Sequence, residues 1–219
     1  MSDQGEIERI EERIGEIIQV STTRFVAQSD DLAAYPHFGS FVRAESAGLD
    51  IYGLVYNVYE TSIDSNRRAM AFGIARDELF KHQPQIAEFL KVEFESAVIG
   101  FSDGGSIRAY LPPFPPRIHS FVYPCSCQEV RDLTEDLEFI RSVNALPGLP
   151  IEELIAASIR LACAEREGDP AFLVRAGQGV AQLLKDEYEK ARSIIRRIND
   201  GGDWGDGDNR VGRGVGDGG

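Results

Sequence analysis

Cys125 and Cys127, with His119 six residues ahead of the first thiol and Cys163 far downstream, are the nearest this chain comes to a set of soft metal ligands. A structural zinc site wants four ligands at tetrahedral spacing, and C-x-C serves that geometry less well than C-x-x-C, so two small residues leading into a helix are expected here and no metal. Gly177 and Gly179 supply the first half of G-x-G-x-x-G. Gln182 stands where the third glycine belongs, and the preceding residues keep a helical pattern where a dinucleotide site needs a strand. These glycines read instead as a place of close helix packing or a break between helices.

No G-x-x-x-x-G-K-[ST], H-E-x-x-H, G-x-S-x-G or EF-hand loop occurs, so the backbone cradles and paired ligands of those chemistries are missing. His37 and His82 are isolated in sequence, and no general base stands out. No catalytic, cofactor-binding or metal-binding residue is therefore assigned, and no cofactor is expected. The 36 acidic residues keep one alternative open: a metal-dependent hydrolase or nuclease accessory whose carboxylates converge from distant parts of the chain.

The stretch Leu111–Val130, "LPPFPPRIHSFVYPCSCQEV", holds the remaining motif. Pro112, Pro115 and Arg117 satisfy P-x-x-P-x-R, a form read by aromatic grooves that recognise the polyproline II helix. The same prolines lie where a strand pattern stops and a helical one starts, as in a stiff domain junction. The junction reading is preferred, with Phe114 and Arg117 docking onto the barrel itself, and Pro112, Phe114, Pro115 and Arg117 are the candidate partner-binding residues.

A net charge of −13 over 219 residues repels polyanions, and the basic residues form no long stripe, so specific nucleic-acid binding is not expected. Apolar residues at 42% and charged residues at 27% suit a soluble globular chain with a real core. No apolar run reaches membrane-spanning length and the acidic start is unlike a secretory signal. A cytoplasmic location with reduced thiols is expected.

From residue 13 to 111 the pattern is that of short strands. "KVEFESAVIGF" sets Val92, Phe94 and Val98 on one face and Lys91, Glu93 and Glu95 on the other. "IYGLVYNVYET" is apolar on both faces and suits a covered, central strand. "IGEIIQVST", "TRFVAQS", "GSFVRAES", "RRAMAFG" and "SIRAYL" complete the candidates, with one helix, "ARDELFKHQPQIAEFL", that Pro84 should kink or split.

After Pro124 the period changes. Ser126 and Glu129 form a capping box, followed by Val130, Leu133, Leu137 and Ile140 at helical spacing until "LPGLP". A second helix spans about 151–166, with Glu152 and Glu153 at its positive end. Asp169-Pro170 opens the last helical stretch. The Gly/Asp-rich residues from 200 on are read as a disordered tail, and "GGDWGDGDN" occurs once where calcium repeats need stacked copies.

The opening "IGEIIQVSTTRFVAQ", then "FGSFVRAES", then "DIYGLVYNVYE" and the proline-rich exit resemble the HAS barrel, the small β-barrel shared by HerA-type translocases and the N-terminal domains of rotary ATP synthase subunits. The likeness covers about residues 13–124. It implies a barrel that contacts neighbouring subunits or a partner protein, with nucleotide chemistry left to a P-loop domain that this chain lacks.

The expected fold is α+β: an N-terminal extension (1–12), a small closed β-barrel of six or seven strands with an inserted helix (13–111), a proline-rich junction (112–124), an all-α region (125–199) and the tail (200–219). The expected function is non-enzymatic assembly or adaptation through contacts with a protein partner or a second copy, with a HerA-like ATPase or nuclease in DNA processing as the companion that the resemblance implies.

Overall fold

A computed structural model describes residues 13–64 and 70–200. Six strands, β1 (Gly15–Val20), β2 (Arg24–Ser29), β3 (Phe41–Ser46), β4 (Leu49–Ser62), β5 (Leu90–Ser102) and β6 (Phe121–Pro124), close into an antiparallel barrel in the order β1-β2-β5-β4-β3-β6. Closure comes from β6, which pairs with β1 through Gly15↔Val122 and with β3 through Ala44↔Val122. A barrel has no free edge around its girdle, which removes the template for edge-to-edge aggregation.

Period-two alternation decides which side chains enter it. Ile17, Phe25, Ala27, Val42, Ala44, Ile51, Val55, Phe94, Val98, Phe101 and Val122 fill the interior. Alternate residues of the same strands, Phe41, Tyr52, Leu54 and Ile99, are buried as well, but outside the barrel, in a second core shared with the helices. This explains why "IYGLV" is apolar on both faces: β4 lies between β5 and β3, with Ile51 and Val55 inside and Tyr52 and Leu54 under helices.

The helical layer comprises α2 (Cys127–Leu133), α3 (Phe139–Asn144), α4 (Ile151–Ala164), α5 (Pro170–Leu183) and α6 (Tyr188–Asn199), while α1 (Arg76–His82) lies in the excursion between β4 and β5. The Phe139 ring meets Phe41 edge-on, with centroids 5.6 Å apart. Burying a side chain of this size contributes about 1.5–3 kcal/mol. Close backbone approach completes the joint: a Cβ on Gly39, which has φ +87°, would lie 2.8 Å from Cβ of Ala157.

Several expectations change at particular residues. "SIRAYL" is no strand and joins the sheet by one bridge, Phe101↔Arg108. Of "RRAMAFG", residues 67–69 lie outside the described residues and Met70–Gly73 adopt no strand. The sixth strand is Phe121–Pro124, inside the segment read as a junction. Its four residues are too short to display a period, and Pro124, which lacks an N–H, can only end it.

Pro84 does divide its helix, into α1 and a 3₁₀ turn over Pro84–Phe89. The helix expected to run through Val130, Leu133, Leu137 and Ile140 is two helices, α2 and α3, broken where Leu137 takes φ +58°. All four side chains are nevertheless buried. Of the two readings of Gly177 and Gly179, the break between helices is absent: α5 runs through both and ends at Leu183. A Cβ on Gly179 would come within 2.8 Å of Leu137 Cδ1, so this glycine admits close packing. The readings of residues 1–12 and 201–219 lie outside the described residues. No helix among the described residues is long and apolar enough to cross a membrane.

Candidate interaction surface

The loop between β5 and β6 returns across the barrel, and its backbone is held at several points. Phe101 N–H donates to Arg108 O over 3.0 Å, Arg117 N–H to Ser46 Oγ over 3.2 Å, and His119 N–H to Ile17 O over 2.9 Å. The Tyr110 ring stands edge-on to Phe101 at 5.5 Å, and the Arg13 guanidinium sits 4.6 Å over the Phe121 ring. An ion pair from Arg108 to Asp103 at 3.0 Å and a hydrogen bond between His119 Nδ1 and Glu16 Oε1 at 2.5 Å fix the ends. The hydrogen bond and charge of Arg108 hold the Asp103 carboxyl below the usual aspartate range.

Of the candidate partner-binding residues, Pro112 is buried, Pro115 is half-buried, and Phe114 and Arg117 face solvent. Solvent-facing neighbours add what the proline motif did not reveal. Tyr110 is 58% exposed, Leu111 40%, Phe114 37%, Ile118 50% and Phe121 36%, and Ile18 on β1 is exposed as well. Twelve consecutive residues thus offer five large apolar side chains to water. Their signal in the sequence is the interleaving of aromatic and aliphatic residues with prolines, which alternation and helical spacing both overlook.

Other polar groups are structural in their geometry. Glu93, expected on a wet face, is buried: Tyr59 Oη donates to its Oε2 over 2.7 Å and Lys91 pairs with Oε1. Burial alone would raise this carboxyl, but hydrogen bonds from Lys91 and Tyr59 lower it overall. Burial and the Glu93 hydrogen bond push the Tyr59 hydroxyl upward in turn.

The three thiols do not form a site. Cys125 is half-buried, and desolvation of its thiol raises it strongly. Cys127 is exposed and donates from Sγ to Glu165 Oε2 over 2.8 Å. Cys163 is buried on α4 with Asp169 O 3.7 Å from its sulfur. Among the described residues, no group of three or more His, Cys, Asp and Glu side chains is placed to hold a metal ion.

Fold and surface together define a class, a closed six-strand antiparallel barrel with a helical layer packed on its outer wall and an apolar return loop. No protein-family model matches the chain, and no curated protein matches it.

Proposed function

We propose that this protein is a non-enzymatic assembly or adaptor module, and that the Tyr110–Phe121 surface meets another protein or a second copy of the chain. The observation that carries the reading is the exposure of Tyr110, Leu111, Phe114, Ile118 and Phe121 on one segment whose backbone is fixed to β1 and β3. A pre-ordered apolar surface costs little conformational entropy when a partner covers it, and aromatic anchors are the side chains that most often dominate interface energies. Arg117 at the centre supplies a charge for orientation.

The finer reading is a HAS-like barrel serving a HerA-like ATPase or nuclease in DNA processing. Its support is the sequence resemblance together with a closed barrel of six strands; the partner rests on analogy. Light scattering after size-exclusion chromatography, with affinity purification from the native cell, tests both levels. The wild-type chain is expected to elute as an oligomer or to recover a P-loop ATPase, and the Phe114→Ser/Ile118→Ser double variant to do neither while keeping its circular dichroism spectrum. A wild-type monomer that recovers no partner would overturn the proposal, and partners that include no P-loop ATPase or nuclease would overturn the finer reading.

A further inference from the structure

Along the joint between the helices and the loop joining β2 to β3 runs an open groove of about 780 Å³, within the roughly 300–1,000 Å³ range of small-molecule clefts. Its apolar lining comes from four parts of the chain: Phe38 from the loop, Leu161 from α4, Leu173 from α5 and Ile198 from α6. His37 and Leu161 also border a smaller apolar hollow of about 180 Å³ that continues toward Tyr35, Pro36 and Val130. The two hollows share His37 and Leu161 in their linings, and the smaller one also takes in Glu165, so an anionic group is better placed in the larger.

One cation stands in this lining. Arg160 is half-buried, and its Nη1 donates to Arg197 O over 2.8 Å. Among the described residues no acid forms an ion pair with it, although the chain carries 36 acids and a net charge of −13. The nearby Arg197 takes Glu152 and Glu153 for itself. A guanidinium in apolar surroundings favours a bidentate anionic partner, because its planar fork matches a carboxylate and little water competes there.

The geometry points to a binding site for an amphipathic carboxylate: an aliphatic chain lies in the larger groove against Phe38, Leu161, Leu173 and Ile198, and its carboxylate meets the Arg160 guanidinium. The site is separate from the Tyr110–Phe121 surface, and its occupancy does not depend on the adaptor reading. No covalent step is involved.

Isothermal titration of the full chain with dodecanoate and with dodecanol, both kept below micelle formation, is the test. Dodecanoate is expected to bind with a Kd of about 10–100 µM and dodecanol about 10-fold more weakly. Arg160→Gln should weaken dodecanoate about 10-fold and leave dodecanol unchanged, while Leu161→Asp, at a position already 37% exposed, should weaken both. Thermal melts confirm that each variant is folded. Absence of dodecanoate binding, equal affinity for acid and alcohol, or an Arg160→Gln variant that binds dodecanoate like the wild type would each overturn the assignment.

Discussion

Arg43 on β3 donates from Nη1 to Glu129 Oε1 on α2 over 3.1 Å, and this carboxylate joins the barrel to the helical layer. Tyr52 Oη donates to the same oxygen over 3.3 Å, while Glu129 Oε2 accepts from Ser126 N–H and Oγ–H, each at 2.8 Å. Burial would lower the Arg43 guanidinium, but Glu129, Asp50 and Glu45 raise it overall. One side chain thus completes a helix cap and neutralises a cation on the barrel wall.

Removing it should be costly. Glu129→Ala leaves Arg43 enclosed without its nearest carboxylate and opens the capping box, with an expected loss of about 2–4 kcal/mol. Ser126→Ala loses the cap alone, about 1 kcal/mol. Urea unfolding separates the two, and equal losses would show that the Arg43 contact contributes nothing.

The approach of Gly39 to Ala157 should be equally sensitive. Gly39→Ala places a side chain at φ +87° with its Cβ 2.8 Å from Ala157 Cβ. Strain and overpacking together predict a destabilisation of about 2–4 kcal/mol. Gly48→Ala, at φ +80° with open space around it, isolates the strain and should lose only about 1–2 kcal/mol. Denaturant midpoints of the pair measure the difference.

Stability should fall in alkali. Burial, then Glu129, raises the Tyr52 hydroxyl, and burial, then Glu93, raises Tyr59. A group raised in the folded state holds its proton more tightly there than in the unfolded chain, so its contribution is complete below the unfolded value of 10.0 for tyrosine and is lost as pH climbs past it. For Tyr52 the slope reaches at most about 1.4 kcal/mol per pH unit. The half-buried Cys125, raised by desolvation, acts in the same direction from the unfolded cysteine value of 9.0 upward. Urea midpoints measured from neutral pH into alkali should decline, and a Tyr52→Phe/Tyr59→Phe variant should decline less steeply.

Thiol labelling should be graded. Cys127 is exposed but its hydrogen bond to Glu165 raises it, whereas Cys125 is half-buried and desolvation raises it strongly. Iodoacetamide should modify Cys127 first in the native protein, and Glu165→Gln should speed that reaction roughly 3-fold by removing the carboxylate charge that favours the protonated thiol. Peptide mapping by mass spectrometry identifies the labelled site, and an unchanged rate would remove Glu165 from the account.

Most of the barrel was legible in local pattern. β1 to β5 stand where alternation and β-branched residues put them, and Ser126-x-x-Glu129 marks the start of α2, because these signals depend on residues within a few positions of one another. The sixth strand was not legible. Phe121–Pro124 is a strand through the partners waiting on β1 and β3, and a sequence window holds no information about them. The proline motif named Phe114 and Arg117, yet the exposure of Tyr110, Leu111, Ile118 and Phe121 depends on how the whole loop folds back.

The sequence by itself determined the change from strands to helices, the cap and breaker positions, and the absence of familiar catalytic motifs, since each is set by local sterics and hydrogen bonding. Only the tertiary structure decided that the two halves share a core, that Glu129 reaches Arg43, that Gly179 serves packing against Leu137, and that Arg160 stands in the lining of an apolar groove. Those are relations between residues distant along the chain, and their energies arise only when closure of the barrel brings them within a few ångströms.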